Sequence, residues 1–466
     1  MNQLLRSSAS VIAEAIRTGE VSSEEVVGAH IKRIEEVNPR LNAVVQMTAE
    51  SALARAREAD RMSVRGEIKG PLHGVPITIK DSLETRGVIS TSGSKARACH
   101  RPDVSATAVE RLFEAGAILL GKTNVPELTF YAHTDNLVYG RTNNPYDLSR
   151  TPGGSSGGEA AIIAACGSPL GLGSDAGGSQ RAPAHFCGIA TLRPTNGRVS
   201  RAGHFPPIEG LFGEVLAVGP MARYVEDLAL TLPLIAGADW RDPWTVPAPV
   251  ADPRTVGLQK LRVAFYADNG VSVCTPEVIA AVKASASVLS DSGMIVEERV
   301  PDGLPQSFEH YLSLMTAYAN TEMEILLQST SMDDVYPALR RALETLRGAK
   351  PSVNDFANMM TNWRRFQIRM LSFMRDYDVI LCPAAPCPAP PHEATEDERY
   401  IAVLSHAMPY GLTGWPAVVT RAGSTPEGLP VGVQIVARPW REDVALAVAR
   451  RLESVFGGWK PPAIFE

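Results

Sequence analysis

Apolar positions along the chain change their period several times, and each change predicts an element. Residues 8–60 read as helices. Ser22-Ser23-Glu24-Glu25 opens one of them like a capping box, and Val26, Ala29, Ile31, Ile34 and Val37 then recur on one face. Asn38-Pro39 predicts its stop. The run GVPITI at 74–79 is continuously apolar, which predicts a short buried strand leading into Lys80-Asp81. Thr107–Ala115 reads as a helix, and Ala117–Leu120 as a strand ending at Gly121-Lys122.

From Tyr139 to Gly219 the periodicity breaks down into a stretch rich in Gly, Ser, Thr, Asn and Pro. Two short apolar helices interrupt it, near Gly158 and near Gln180. So long an irregular stretch inside a folded chain points to function. Regular patterns return with a strand at Leu261–Tyr266 and a helix capped at Thr275-Pro276 that ends near Ser292-Gly293. A strand at Met294–Val300 and helices over 307–376 follow. Asp378–Leu381 is another strand, and Ala417–Arg421 with Val431–Ala437 reads as a hairpin. Glu442–Phe456 closes as an amphipathic helix. Strands and helices mix without regular alternation, so the expected class is α/β, with a mixed sheet between layers of helices. No internal repeat is visible, and the Pro-rich piece at 383–391 reads as a stiff connection.

Composition narrows the function classes. The 466 residues are 45% hydrophobic and 21% charged, with a net charge of -6, which is ordinary for a soluble globular protein. There is no Lys/Arg block to hold a phosphate backbone, so nucleic acid is not an expected partner. The first twenty residues mix charges into their apolar positions, unlike a signal peptide. No run reaches the roughly 18 apolar residues of a spanning helix, so no membrane partner is expected. Cysteines 99, 166, 187, 274, 382 and 387 are scattered and lack paired CxxC spacing, which suits reduced thiols in a cytoplasmic protein.

The chemistry concentrates in two loops, Gly153-Gly154-Ser155-Ser156-Gly157-Gly158 and Gly173-Ser174-Asp175-Ala176-Gly177-Gly178-Ser179. Each opens a helix, so its backbone N–H groups converge where the helix dipole favours negative charge. A phosphate cradle, an oxyanion hole beside a serine nucleophile, and a simple tight turn compete for this pattern. The phosphate use fails because neither loop carries the Lys-Ser/Thr pair of a P-loop or GxGxxG spacing after a strand. Gly153–Gly157 satisfies GxSxG, but a loop precedes it where a nucleophile elbow needs a strand. His392 and His406 lie in unremarkable surroundings. Lys80 is the other base on offer. A lysine closing a strand is ordinarily solvated; burial would lower its pKa and leave it partly neutral, with Asp81 opposing that shift unless its carboxylate points elsewhere.

These residues resemble the amidase signature family. GVPITIKD is similar to its lysine motif, RTPGGSSGG to its first serine motif and GSDAGGSQRAPAHFCG to its second. HIKRIEEVNPRLNAVV, GAILLGKTNVPELTF, LRPTNGRVS, GPMARYVEDLAL and GLPVGVQIVA follow the same pattern. The resemblance covers residues 10–230 densely and 375–455 more loosely. It implies the amidase signature fold in one domain over 1–466: a catalytic core at 60–230, a variable pocket region at 230–375, and returning strands with a C-terminal helix at 376–466. It implies hydrolysis of a carboxamide to an acid and ammonia or amine. Ser179 would be the nucleophile, Ser155 the bridging serine after a cis Gly154–Ser155 bond, and Lys80 the base. Backbone N–H groups from Ala176, Gly177, Gly178 and Ser179 would hold the oxyanion. No metal or organic cofactor is implied; the implied partner is a small-molecule amide, and family members are often homodimers.

Ala176 stands where the family often has Thr, and Gln180 where it often has an apolar residue. Gln180 would change either the pocket wall or the helix packing. Thr129, between Leu128 and Phe130, matches a segment lining the acyl pocket of the family's fatty acid amide hydrolases, and equally suits core packing. His73, His133 and His204 read as satisfied structural histidines, because no two lie close with carboxylate company. Arg181 reads as an ion-pair partner, and Asp175 as either an anchor for loop amides or a packing group. Met315, Tyr318, Met323, Tyr336, Met359, Met360 and Trp363 suit an apolar acyl pocket or a helical core. Two other readings are the glutaminase (A-type) subunit of a tRNA-dependent amidotransferase and a catalytically silent binding protein. Residues 300–376 lack the Gly/Tyr-rich, Arg-containing segment of the former, and the presence of all three catalytic residue types argues against the latter.

Overall fold

The computed structural model describes residues 2–207, 209–328, 330–348 and 351–463. Eleven strands form one mixed sheet: β1 Val44–Met47, β2 Pro76–Lys80, β3 Ile118–Thr123, β4 Leu170–Asp175, β5 Ala190–Arg193, β6 Ala217–Ala222, β7 Arg262–Phe265, β8 Ile295–Glu298, β9 Val379–Pro383, β10 Ala417–Ser424 and β11 Pro430–Ala437. Their order is β1-β3-β2-β4-β6-β5-β10-β11-β9-β7-β8. β3, β2 and β4 run parallel, as do β9, β7 and β8. The pairings β1/β3, β4/β6, β6/β5, β5/β10, β10/β11 and β11/β9 are antiparallel.

Alternation along each strand builds the layers, because successive side chains point to opposite faces. Ile77, Ile79, Leu170, Leu172, Val433 and Ile435 pack into one cluster with the helices Ala9–Thr18, Thr107–Glu114, Val225–Ile235, Pro276–Asp291 and Glu442–Phe456. The opposite face carries two clusters. One holds the helices Ser23–Leu41, Ala49–Val64 and Gly157–Ala164; the other holds Gln306–Ala319, Pro337–Gly348 and Val353–Met374. The helix Arg181–Cys187 sits where these two meet, sending Ala182 and Phe186 into one and Ala184 and Cys187 into the other.

Several sequence expectations need correction. The helix over 23–41 does not stop at Asn38-Pro39. It runs to Leu41 and ends at Asn42, which is left-handed at φ 50°, while the Asn38 side chain takes the N–H groups of Ala43 and Val44. Pro39 costs the helix one N–H bond, and the Asn42 N–H, donating to the Asn38 carbonyl at 2.7 Å, still closes the last turn. Residues 8–60 also contain the strand β1, a four-residue sheet edge too short to show alternation. The segment 139–219 holds β4, β5 and part of β6; every residue of these strands is buried, so no polar face marked them.

Candidate active site

Thr78 and Lys80 alternate against Ile77 and Ile79, so they face the side of the sheet that carries the helix Gly157–Ala164. Lys80 is fully buried rather than solvated. Its Nζ lies 2.7 Å from Ser155 Oγ and 2.9 Å from Ser174 Oγ, and it donates to the Ser174 carbonyl at 3.4 Å. Burial pushes the amine down to about 7, against the pull of Asp175 and Glu159. Asp81 does not oppose this directly. Its carboxylate accepts from the Thr91 N–H and hydroxyl and faces Lys122 at 3.5 Å. Glu159 accepts from the hydroxyls of Thr78 and Thr123, and burial raises its carboxyl to about 7.

The first Gly/Ser loop is held tightly. The Gly154–Ser155 peptide is cis. A Cβ on Gly154 would run into the backbone of His133, so only glycine fits. Ser156 ties the two loops together: its N–H donates to the Ser179 carbonyl at 3.0 Å, and its hydroxyl donates to the Ser174 carbonyl at 3.2 Å.

Asp175 organises the second loop. Its carboxylate accepts the N–H groups of Gly178 at 2.8 Å, Gln180 at 3.0 Å and Arg181 at 3.3 Å. Arg181 pairs with it in bidentate fashion at 2.8 and 2.9 Å. Burial pushes this carboxyl up, but Arg181, Arg193 and the loop amides overcome that and hold it well below its ordinary value. Asp175 therefore anchors loop amides, and Arg181 is its buried ion-pair partner. Gly178, at φ +135°, spends its N–H on this anchor. The N–H groups of Ala176, Gly177 and Ser179 have no acceptor among the described hydrogen bonds. Gln180 resolves toward packing: its amide donates to the Gly219 carbonyl and reaches Thr191 within the sheet.

Ser155, Ser174, Ala176 and Ser179 open onto one cavity of 450 Å³. Ser179 is the half-exposed residue of an otherwise buried loop. Thr129 and Phe130 line the same cavity, with Thr129 in the left-handed region at φ 58°; Leu128 packs in the adjoining core. The remaining wall comes from Tyr131, Phe212, Leu216, Tyr311, Leu312, Met315, Leu346, Ile401 and Leu404, with Thr316, Thr345 and Arg341 beside them. Of the seven variable-region residues singled out in the sequence, Met315 alone lines this cavity. Tyr318 stacks behind Phe130 and Phe212, and Met323 and Trp363 are core. The helical periodicity there marked packing, not the pocket.

His73 is tied to Ser63, Ala59 and Lys69, and His204 to Pro206 and Ser174. His133 differs from expectation: its ring lies tilted against that of Tyr131, 4.6 Å between centroids, and neither ring nitrogen has a described partner. Among the described residues no cluster of three or more His, Cys, Asp or Glu side chains is arranged to hold a metal. Sequence reasoning missed Ser174 as a contact of Lys80. The signal available was its place within the second Gly/Ser loop, five residues before Ser179.

The sheet, with this cavity opening on the second Gly/Ser loop, belongs to an enzyme of the hydrolase class. The chain is a member of the amidase family, whose model matches residues 25–446, and it acts on carbon–nitrogen bonds other than peptide bonds. It is 36% identical to indoleacetamide hydrolase of Bradyrhizobium diazoefficiens over 96% of this chain and 86% of that one. It is 35% identical to the A-type subunit of glutamyl-tRNA(Gln) amidotransferase from Chloroflexus aggregans over 98% and 97%. The solved structure of 6-aminohexanoate cyclic dimer hydrolase superimposes with a TM-score of 0.90 at 29% identity, covering 99% of this chain and all of that one. Among the described residues no helix is long and apolar enough to cross a membrane.

Proposed function

We propose that this amidase works through an acyl-enzyme on Ser179, with Ser155 and Lys80 completing the relay. One observation carries the proposal: a fully buried, partly neutral amine lies 2.7 Å from Ser155, whose hydroxyl shares a cavity with the half-exposed Ser179. Neutral Lys80 takes the proton of Ser155, Ser155 takes that of Ser179, and the Ser179 oxygen adds to the amide carbon. The oxyanion is met by the N–H groups of Ala176, Gly177 and Ser179. The relay then returns its proton to the amide nitrogen, the C–N bond breaks, and ammonia or an amine leaves. Water, deprotonated by the same relay, adds to the acyl carbon and releases the acid, restoring Ser179.

The walls support a substrate with an apolar or aromatic acyl group. Phe130, Phe212, Leu216, Tyr311 and Met315 offer it packing area, in keeping with similarity to an indoleacetamide hydrolase. A glutaminase must also fix an α-ammonium, and among the described residues no Asp or Glu lines the cavity and Arg341 is the one charged residue there. All six cysteines are free, which supports a reducing, cytoplasmic setting. The test is release of indole-3-acetate from indole-3-acetamide, compared with glutamate from glutamine. The reading expects the first reaction, abolished by Ser179→Ala. Glutamine turnover with no aryl or alkyl amide cleaved contradicts it.

A further inference from the structure

His204 takes no part in that relay, yet its two ring nitrogens impose a direction on it. Nδ1 lies 2.9 Å from the Pro206 carbonyl, which can only accept, so the imidazole proton sits on Nδ1. Nε2 is then an acceptor, and it lies 2.9 Å from Ser174 Oγ. The Ser174 hydroxyl must therefore donate to His204. Toward Lys80, 2.9 Å away, Ser174 Oγ offers lone pairs only. A neutral amine has two N–H groups and one lone pair. With its N–H groups directed at the Oγ and carbonyl of Ser174, the lone pair is left facing Ser155.

We propose that His204 is a positioning residue that, through Ser174, aims the lone pair of Lys80 at the Ser155 hydroxyl. This rests on the relay reading above. The loop bearing His204 is fixed to the segment that follows Lys80: Leu83 and His204 form an antiparallel bridge, and the Phe205 N–H donates to the Ser82 carbonyl at 2.8 Å. Both His204 and Ser174 are buried. Burial lowers the imidazole to about 3, helped by Lys80 and Arg201 and opposed by the Pro206 bond, so Nε2 stays an acceptor at working pH. The charged groups facing this cluster are Asp175 and Glu159 toward Lys80, and Arg201 toward His204, with Arg201 itself paired to Asp242.

The test is the rate at which a fluorophosphonate labels Ser179, followed from about pH 5 to 9, across the titration range of a lysine lowered to near neutrality. Without His204, the Ser174 hydroxyl is free to donate to the Lys80 lone pair, competing with Ser155 and favouring the neutral amine. His204→Phe should therefore slow labelling about tenfold or more and move its acid limb down by about half a pH unit or more. His204→Gln, whose amide oxygen reaches the place of Nε2, should recover most of the rate. The double variant with Ser174→Ala should be no slower than Ser174→Ala alone. If His204→Phe does not fold, the test moves to the Ser174→Ala background, where the Lys80 ammonium loses its Oγ acceptor and the limb falls for that separate reason; His204→Gln in that background should then change neither rate nor limb further. An unmoved limb in folded protein, or losses that multiply, overturns the role of His204 while leaving the relay intact. Undiminished labelling in Lys80→Ala overturns the relay and this inference together.

Discussion

Lys80 Nζ and Ser155 Oγ lie 2.7 Å apart with both residues buried. A charged ammonium in that position would be costly, and a neutral one is a base. The folded chain keeps Lys80 neutral from about pH 7, against an ordinary value of 10.5. Amide hydrolysis should thus rise with pH through about 7 and level off above it. A kcat/KM profile that is flat from about pH 5 to 9 contradicts this assignment of the base.

The same shift fixes a sign for stability. Between about 7 and 10.5 the unfolded chain binds a proton at Lys80 that the folded chain does not, so unfolding takes up a proton. The contribution of this group to stability therefore rises with pH across that window. Lys80→Met should abolish activity, and its apparent Tm relative to the parent should fall steadily from pH 7 to about 10. Thermal scans at one fixed rate check this.

Asp175 neutralises Arg181 and lies 3.7 Å from Arg193, all three fully buried. Asp175→Asn leaves buried guanidinium charge without its counter-ion, at a cost of about 3–5 kcal/mol. The expected result is a large loss of soluble protein or a sharply lowered Tm. A variant as stable as the parent shows that Asp175 is a packing group only.

Gly154→Ala should be nearly as damaging, for a different reason. The added Cβ meets the His133 backbone, which cannot swing aside as a flexible side chain does. A loss of about 2 kcal/mol or more is expected, measured by denaturant midpoint.

Met315 tests the acyl pocket. Met315→Trp fills part of the 450 Å³ cavity, so kcat/KM for an arylacetamide should fall about tenfold while acetamide is little affected. Equal losses on both substrates would place Met315 away from the acyl group.

Much of this was legible in the chain, and unevenly so. The strand carrying Lys80, the helices at Gly157–Ala164 and Arg181–Cys187, and the C-terminal hairpin followed from period and punctuation. β4, β5 and β6 did not, because strands buried on both faces show no alternation, and Gly in β4 and Gly and Pro in β6 interrupt the apolar runs further. The motif residues Lys80, Ser155 and Ser179 were nameable from the sequence. Tyr311, Leu404 and Phe212 come to the cavity from distant segments, and a local pattern carries no sign of which core side chain will face a void.

Locating the nucleophile by mass spectrometry tests the central claim most directly. Folded protein treated with a fluorophosphonate should carry the adduct on Ser179, with no adduct in Ser179→Ala and much slower labelling in Lys80→Ala. An adduct on Ser155 or Ser156 instead, formed as fast without Lys80, would contradict the relay.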